Sequence, residues 1–516
     1  MATLGSLLDA QASRHRHRVY IIWQDNPITY GEFGDLTDRY ARGLYDMGIR
    51  RGDRVAIWLQ NSIEFAVAYW GNAKLGAISV PLNVLFKSDE AYFILSDAKA
   101  KAIVAHAQYE PAITGLWQRL PDLDHAIVVG ATEGTAYMRY EDLIEAGTRS
   151  LAQRGSRGLR FKYLVDSRKP AVILYTSGTT GFPKGAMLNH DNILFDARAC
   201  TKVLPVGPAD AMLCVLPLYH AYPQMIFLCF AVMTACRVVI LERFVPSLVL
   251  EKVAQYGCTL FLAVPSMLSL LLQVPKDQRP PISSLRFCIS GAAPLPLEVL
   301  EQFEREYGVA VAEGDGPTEC GPVTCVNPLD GRPRKPGSVG LALPGVQMKI
   351  FDDHDRELGP NEIGEIVVRG KNVMLGYYNR PDETAEAMRA GWFHTGDIGK
   401  IDEDGYIYIL DRKKDMIIVG GINLYPREVE ELLYRHPKVA EAAVIGVPDP
   451  LRGESPKALI VLGRGQQATG SEILNYLRPH LANFKLPRSV EFCESLPKSM
   501  TGKILKRELR EKHSAR

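Results

Sequence analysis

A short apolar run followed by a loop of small and hydroxylated residues is the feature that most constrains this sequence. The run is Ala171-Val172-Ile173-Leu174, and the loop from Tyr175 to Gly185 reads Tyr-Thr-Ser-Gly-Thr-Thr-Gly-Phe-Pro-Lys-Gly. The apolar run predicts a buried strand. In the loop, glycines let backbone N–H groups approach one point, hydroxyls add donors, and Lys184 supplies a positive charge. The pattern therefore predicts a phosphate-binding loop at the edge of a sheet.

The spacing of this loop differs from those of two other phosphate-binding loops. A P-loop requires Gly-Lys followed by Ser or Thr, whereas Lys184 lies between Pro183 and Gly185, and the dinucleotide pattern Gly-x-Gly-x-x-Gly is absent as well. A flexible surface loop rich in Ser, Thr and Gly is the alternative that composition alone leaves open.

The chain of 516 residues is longer than one hydrophobic core usually supports, so we expect two or more domains. Residues 54–59 predict a strand, residues 62–75 a helix that ends at Gly76, and residues 77–80 a second strand. Apolar spacing predicts another helix over residues 35–47. A strand, a helix and a strand within about 30 residues indicate a βαβ unit and a parallel sheet. The predicted fold class is α/β, with helix-covered sheets.

The net charge of +1 argues against a dedicated nucleic-acid-binding protein, and no nucleic-acid partner is predicted. The charge is unevenly distributed, because basic residues outnumber acidic ones from Asp411 onward. This excess is consistent either with a solvated basic face or with a lid that closes over polyphosphate.

Nine cysteines without a disulfide-like or Cys-x-x-Cys pattern indicate a reducing compartment, and we expect a cytoplasmic protein. The longest apolar region, residues 212–241, is interrupted by Pro217, His220, Pro223 and Arg237. It leaves no span of about 20 apolar residues, so we expect buried strands and a helix rather than a transmembrane segment.

The loop over residues 175–185 resembles the signature of the adenylate-forming superfamily, which includes acyl- and aryl-CoA synthetases, luciferases and peptide-synthetase adenylation domains. Later motifs extend the resemblance over nearly the whole chain. It implies a large N-terminal domain of several subdomains, residues 1–411, and a small mobile α+β C-terminal domain, residues 412–516, with a hinge near Lys414. The implied cofactor and co-substrates are Mg²⁺, ATP and CoA.

The resemblance assigns the phosphate and adenine contacts to three segments. The phosphates would be held by the loop residues Thr176, Ser177, Gly178, Thr179, Thr180, Gly181 and Lys184. Adenine would lie against Gly291, Ala292 and Ala293, although a tight turn is the simpler interpretation of those residues alone. In Asp315-Gly316-Pro317-Thr318-Glu319, Thr318 would contact the α-phosphate and Glu319 would hold Mg²⁺, a hard ion that prefers carboxylate oxygen.

One residue departs from the pattern of the family. The aromatic residue that stacks on adenine in the resembled motif is replaced by Asp315. We therefore expect either weaker nucleotide binding or a polar contact between Asp315 and the base.

The resemblance also assigns roles near and beyond the hinge. Asp397, in His-Thr-Gly-Asp, would accept hydrogen bonds from the ribose hydroxyls, and Arg412 would make a second ribose contact. Lys503, in Thr-Gly-Lys, would reach the acyl carboxylate and the α-phosphate as the catalytic residue; its alternative is one Lys within a basic tail. Gly421 would let the pantetheine arm of CoA pass close to the backbone.

The acid substrate is the least determined part of the sequence. His220, in Pro-Leu-Tyr-His, would lie beside the acyl site, although a buried core histidine is the plain alternative. No Asp follows Tyr219 to hold an ammonium group, so the expected substrate is a carboxylic acid without an amino group.

We expect an ATP-dependent acid:CoA ligase acting through an acyl-adenylate on a medium- or long-chain fatty acid. Three alternatives stay open: an aryl acid:CoA ligase, an adenylate-only enzyme that transfers the acyl group to a carrier protein, and a non-catalytic binding protein. A homodimer and peripheral contact with a membrane are also compatible with the sequence.

Overall fold

The computed structural model describes residues 2–176, 183–498 and 503–514. Ser177, Gly178, Thr179, Thr180 and Gly181 lie outside the described residues. Within those ranges the chain forms four β-sheets, with helices packed on the two largest.

The helices, in chain order, are α1 Leu4–Arg14, α2 Tyr30–Asp46, α3 Ile63–Leu75, α4 Ser88–Asp97, α5 Glu110–Trp117, α6 Tyr140–Arg154, α7 His190–Cys200, α8 Ala221–Pro223, α9 Ala231–Thr234, α10 Pro246–Tyr256, α11 Pro265–Leu272, α12 Leu297–Tyr307, α13 Pro381–Ala387, α14 Pro426–Tyr434, α15 Gly470–Leu477 and α16 Lys506–Ser514. A π-helix spans Gln224–Phe230, and 3₁₀ segments span Ala107–Tyr109, Gly155–Leu164, Lys276–Gln278, Thr318–Cys320 and Arg389–Gly391.

The strands are β1 Val19–Trp23, β2 Asn26–Thr29, β3 Arg54–Trp58, β4 Ile78–Pro81, β5 Ala100–His106, β6 His125–Val129, β7 Met138–Arg139, β8 Pro170–Thr176, β9 Lys184–Asn189, β10 Ala211–Cys214, β11 Arg237–Ile240, β12 Leu260–Ala263, β13 Phe287–Ser290, β14 Ala310–Asp315, β15 Cys325–Val326, β16 Leu341–Ala342, β17 Gln347–Phe351, β18 Gly364–Arg369, β19 Gly376–Tyr377, β20 Phe393–Ile401, β21 Ile407–Arg412, β22 Ile417–Val419, β23 Ile422–Leu424, β24 Val439–Asp449, β25 Gly453–Leu462 and β26 Ser489–Phe492.

Two large mixed sheets form the body of the molecule. One has the order β19-β9-β8-β4-β3-β5-β6-β7, and the other has the order β16-β15-β14-β13-β12-β10-β11-β1-β2. The central strands of both sheets are parallel, including β3 with β4 and β12 with β13. The predicted βαβ unit and α/β fold class are confirmed.

Helix α3 lies at the centre of the core. The Ser62 hydroxyl caps its first turn by accepting from the Phe65 N–H, and Gly76 ends it with φ +79°. Every residue of α3 except Glu64 is buried, and its apolar residues belong to one cluster with strands from both large sheets. Its nearly continuous apolar sequence is typical of a helix enclosed on all sides.

A buried charge cluster lies beside α3. Lys74, fully buried, places its Nζ 2.5 Å from Asp38 Oδ1 and 2.8 Å from Asp9 Oδ1, and it donates to the Gly34 carbonyl at 3.1 Å. Because an ammonium group in the core must be neutralised by partners, this cluster joins α1, α2 and α3 through a polar contact.

Two smaller sheets complete the chain. The antiparallel sheet β17-β18-β20-β21 ends at Arg412, and the sheet β23-β22-β25-β24, with β26 beside β25, begins at Ile417. Residues 413–416 connect them, which is where the hinge is predicted. The boundary between residues 411 and 412 stays a prediction. Among the described residues, no helix is long and apolar enough to cross a membrane.

Candidate active site

The predicted phosphate loop connects the hairpin strands β8 and β9, which pair Tyr175 with Gly185 and Thr176 with Lys184. The Tyr175 hydroxyl donates to Asp97 Oδ2 at 2.7 Å, which anchors the end of β8. A Cβ on Gly185 would lie 2.7 Å from the Ile173 side chain, so this position needs glycine. The strands therefore hold Thr176 and Lys184 opposite each other where the loop leaves the sheet.

Four side chains meet beside this hairpin. Thr176 Oγ1 donates to Glu319 Oε1 at 3.2 Å, and the Tyr377 hydroxyl donates to the same oxygen at 3.0 Å. Lys184 Nζ lies 5.5 Å from the centre of the Tyr377 ring. Burial and the Glu319 carboxylate raise the pKa of Tyr377 well above its usual value, so its hydroxyl stays a donor. The cluster combines a carboxylate, two hydroxyls and an ammonium group.

The donor set fits a magnesium ion. Glu319 lies on the short 3₁₀ segment Thr318–Cys320 and supplies a hard carboxylate oxygen. Mg²⁺ in nucleotide sites is typically held by one or two carboxylates together with phosphate oxygens and water. Glu319 is therefore the residue that would hold the ion, with Thr318 next to it in the chain.

A second cluster surrounds the paired strands β20 and β21. Their register places Asp397 opposite Arg412, and Arg412 Nε lies 3.1 Å from Asp397 Oδ1. Asp397 is almost fully buried, whereas two-fifths of the Arg412 side chain is exposed. The pair presents a carboxylate and a guanidinium, the groups that would bind ribose hydroxyls.

Asp315, at the end of β14, belongs to this second cluster. Burial, and then the nearby Asp397 carboxylate, raise the pKa of Asp315 to about 6, while Arg412 and Lys503 act in the opposite direction. Its carbonyl accepts from the Thr324 N–H at 2.9 Å, which fixes the backbone there. Asp315 is thus a half-buried carboxyl group close to one other carboxylate and two cationic side chains.

The backbone next to Asp315 and in the neighbouring loop is closely packed. A Cβ on Gly316 would lie 2.2 Å from the Pro322 carbonyl oxygen, so only glycine fits. In the neighbouring loop, Ala292 has φ +66° directly after Gly291. A non-glycine residue in this conformation is uncommon and typical of sites where the surrounding structure imposes it. Ala293 follows in the same turn.

Lys503 joins the second cluster from the C-terminal sheet. Burial, and then the Arg412 guanidinium, lower the pKa of Lys503 to about 8, while Asp397 and Asp415 raise it. Ile504, next to Lys503, forms an isolated antiparallel bridge with Lys498. The structure therefore brings Lys503 together with Asp315, Asp397 and Arg412, although about 90 residues separate it from the last of these.

His220 lies at the carboxyl end of the other large sheet, where it precedes α8. Burial lowers the pKa of His220 to about 4, so the imidazole is neutral at pH 7. Its ring centre lies 4.7 Å from that of Tyr219. A Cβ on Gly291 would lie 3.7 Å from the Tyr222 ring and 3.2 Å from the Gly314 carbonyl oxygen, so this segment packs against the predicted adenine turn.

Two protein-family models match this chain. Residues 8–378 match the family described as AMP-binding enzyme, and residues 428–503 match the AMP-binding enzyme C-terminal domain. The chain belongs to the AMP-binding enzyme family. The predicted superfamily is thereby confirmed.

Two curated relatives of this AMP-binding enzyme differ in the acid that their names specify. A long-chain-fatty-acid–CoA ligase of Bacillus subtilis is 35% identical over 533 residues, covering 99% of this chain and 95% of the relative. A feruloyl-CoA synthase of an Amycolatopsis species is 35% identical over 510 residues, covering 98% of both chains. The predicted enzyme class, an AMP-forming acid–thiol ligase that uses ATP, Mg²⁺ and CoA, is confirmed, and the acid is not decided.

Solved structures of MatB from Rhodopseudomonas palustris, 32% identical and matched over 99% of both chains, are informative about conformation. The ATP-bound form matches with a TM-score of 0.90, whereas the apo form matches with 0.78. The arrangement of this AMP-binding enzyme, with Lys503 in the second cluster, is thus the one closer to the ATP-bound relative.

Two residues stand apart from the sequence predictions. Gly421, in the turn between β22 and β23, is exposed, and a Cβ there would meet no atom within 4 Å, so the structure does not bring it to either cluster. Tyr377 was missed, because its strand β19 has only two residues and pairs with β9 from almost 190 residues away. The only sequence signal was the aromatic pair Tyr377-Tyr378 after a glycine.

Proposed function

We propose that the two clusters form one catalytic site, in which an acid and ATP are joined before the acyl group passes to CoA. The observation that carries the proposal is the position of Lys503 beside Asp397 and Arg412. Formation of a bond between two anions requires a cation nearby, and Lys503 supplies one from the C-terminal part of the chain.

In the first half-reaction, a carboxylate oxygen of the acid attacks the α-phosphorus and pyrophosphate leaves. Lys184 and the hydroxyl of Thr176 hold the phosphates, and Thr318 contacts the α-phosphate. The Lys503 ammonium group reduces the repulsion between the two anions as they approach. When bound at Glu319, Mg²⁺ neutralises charge on the phosphates.

In the second half-reaction, the thiol of CoA attacks the acyl carbonyl carbon, the bond to AMP breaks, and the thiol proton is released. Lys503 does not serve this step, so the C-terminal domain rotates about Lys414 and presents a different face. The exposed Gly420-Gly421 turn is a candidate for that face, because its backbone is open to a slender pantetheine arm. The predicted hinge, domain boundary and CoA contact are all parts of this proposal.

The acid fills the space beside His220, whose neutral imidazole suits a substrate carbonyl as a partner. The fatty acid that the sequence favoured agrees with the name of the Bacillus relative, and the aryl alternative agrees with that of the Amycolatopsis relative. A homodimer, a contact with a membrane surface and a cytoplasmic location also belong to the proposals.

A panel of carboxylic acids assayed for AMP formation with and without CoA tests the function. We expect AMP formation that depends on both the acid and CoA, with pyrophosphate exchange in the absence of CoA. AMP release that is independent of CoA would contradict the thioester step and favour an adenylate-only enzyme. No ATP consumption with any acid would favour a binding protein.

A further inference from the structure

The segment that begins at Tyr219 contains an unusual set of buried polar atoms. Among the described residues, six buried side-chain atoms close to the predicted acyl site have no hydrogen-bond partner: Tyr219 Oη, His220 Nε2, Tyr222 Oη, Gln224 Nε2, Gln224 Oε1 and Ser290 Oγ. A buried polar group without a partner is destabilising, so native proteins keep few of them. Their concentration in one place needs an explanation.

Gln224 is the clearest member of this set. Its side chain is 2% exposed, and both ends of its amide lack a partner among the described residues. Asn61, a buried amide of the same region, donates to the Leu216 and Leu241 carbonyls at 3.0 and 3.1 Å and accepts from the Leu218 N–H at 2.7 Å. The fold therefore satisfies a structural amide beside this segment and leaves Gln224 unsatisfied.

The backbone at Gln224 is also specialised. Gln224 opens a π-helix of seven residues, a rare conformation that is frequent at functional sites. The Tyr20 hydroxyl contacts the carbonyls of Phe227 and Leu228 at 3.4 Å each, and the Tyr30 hydroxyl donates to the Ala231 carbonyl at 3.2 Å. The Tyr20 hydroxyl thus contacts two carbonyls inside the π-helix and the Tyr30 hydroxyl contacts one directly after it, so the fold supports this conformation from distant parts of the chain.

The unsatisfied groups lie at the carboxyl edge of one sheet. Ser290 is the last residue of β13, and it pairs with Ala263 of β12 and Glu313 of β14. Gly291 follows it and approaches the Tyr222 ring. The Gln224 N–H donates to the His220 carbonyl at 3.2 Å, so these two side chains share one face of the turn. Ligands of parallel sheets bind at this edge.

We propose that Gln224, together with Tyr222 and Ser290, binds hydrogen-bonding substituents of the acid, and that the substrate is a hydroxylated aromatic carboxylic acid. This inference rests on the proposed function. An unsubstituted alkyl chain would leave these groups without a partner, at a typical loss of roughly tenfold in affinity for each group. A hydroxyl group can both donate to the amide oxygen and accept from the amide nitrogen.

The aromatic part of the proposal follows from the rings in the same segment. The side chains of Tyr219, His220 and Tyr222 supply three flat surfaces, and ring–ring contacts add to the burial of apolar area. An aromatic acid with a hydroxyl on its ring can contact the ring surfaces and also hydrogen-bond to the unpartnered polar groups. A flexible alkyl chain can do neither.

The first test compares acids that differ only in the substituent. Purified full-length protein is assayed for CoA-dependent AMP formation with a phenolic acid, with the same acid lacking its hydroxyl, and with a saturated fatty acid of similar length. We expect kcat/KM to be highest for the phenolic acid, by roughly 10- to 100-fold over its unsubstituted counterpart. A fatty acid that is equal or better would overturn the inference while leaving the ligase function intact.

The second test assigns the preference to Gln224. Gln224→Leu should lower kcat/KM for the phenolic acid by about tenfold or more and collapse its advantage over the unsubstituted acid. Met225→Leu, a volume-conserving change at a buried neighbour, is the control and should leave the ratio unchanged. Tyr222→Phe removes one hydroxyl with almost no change of volume and should also reduce the ratio, which keeps the test decisive if Gln224→Leu folds poorly.

Thermal stability separates a binding role from a structural one. Because Gln224→Leu removes an unsatisfied buried amide, the ligand-free variant should melt at or above the wild-type Tm. A lower Tm with an unchanged substrate ratio would identify Gln224 as a residue satisfied by buried water and would overturn the proposal. Absence of activity with every acid would instead count against the proposed function.

Discussion

Lys503→Ala should separate the two half-reactions of this enzyme. The ammonium group lies where Asp397, Arg412 and Asp415 converge, which is the predicted site of adenylation. Loss of one positioned charge from such a site typically lowers the rate by about 10²–10³-fold, equivalent to about 2.7–4 kcal/mol. The rate of adenylation should fall by that amount, whereas thioester formation from supplied acyl-adenylate should be nearly unaffected.

The role of Lys503 also predicts how the rate of adenylation changes with pH. With a pKa lowered to about 8, Lys503 is roughly nine-tenths protonated at pH 7 and roughly one-tenth protonated at pH 9. Only the protonated form can stabilise the approaching anions, so activity is present below about pH 8 and lost above it. Because kcat/KM reports the free enzyme, its value for adenylation should fall by about tenfold between pH 7 and pH 9.

The assay is acid-dependent exchange of labelled pyrophosphate into ATP for adenylation, and consumption of supplied acyl-adenylate by CoA for the second step. Lys498→Ala is the matched control, since Lys498 lies on the same loop but pairs with Glu441. The control should leave both steps and the pH profile unchanged. If Lys503→Ala slows both steps equally, or keeps the decline above pH 8, then Lys503 does not act as a charge in adenylation alone.

Three further predictions concern the base, the CoA contact and the core. Asp315→Tyr should lower the KM for ATP by about tenfold if only adenine stacking is gained, or weaken the discrimination between ATP and GTP if Asp315 contacts the base; unchanged values for both nucleotides would exclude contact. Gly421→Leu should block thioester formation and spare pyrophosphate exchange, since φ +83° and an open backbone are both lost; undiminished CoA turnover would refute that contact. Asp38→Ala should destabilise the protein by about 1.5–3 kcal/mol in denaturant unfolding because the buried Lys74 ammonium group keeps only Asp9 as a carboxylate partner, whereas Lys74→Met should be milder; equal effects would refute this account.

Local sequence signals predicted much of the framework. The strand at residues 171–174 is the centre of β8, and the helix predicted over residues 62–75 is α3, because a Ser cap and a left-handed Gly determine its ends locally. The helix predicted over residues 35–47 begins instead at Tyr30. A capping box, in which Thr29 and Glu32 satisfy each other's backbone N–H groups, sets this start, and its residues can be read from the sequence.

Other features depend on contacts between distant parts of the chain. Strand β19 exists because it pairs with β9, and two residues carry no periodic pattern of their own. The apolar region at residues 212–241 was interpreted as strands and a helix, which the structure bears out, but its π-helix was not predicted. The hydroxyls of Tyr20 and Tyr30 support that conformation from just over 200 residues away, so no local window contains the cause.

The contacts of the C-terminal sheet support the proposed rotation of this domain between the two half-reactions. The cluster around Leu424 consists of residues 417–490, and the second cluster of that sheet consists of residues 443–509, so its apolar packing is internal. Contacts across the connection are polar: Lys413 Nζ lies 2.9 Å from Asp353 Oδ1, and the Arg427 guanidinium donates to the Ile409 carbonyl at 2.7 Å. The Lys413–Asp353 pair is exposed, and exposed ion pairs typically contribute less than about 1 kcal/mol. Under the proposed function, a C-terminal domain with its own core would change its orientation at small cost, and substrates bound at Lys503 would supply the interactions that select the first arrangement.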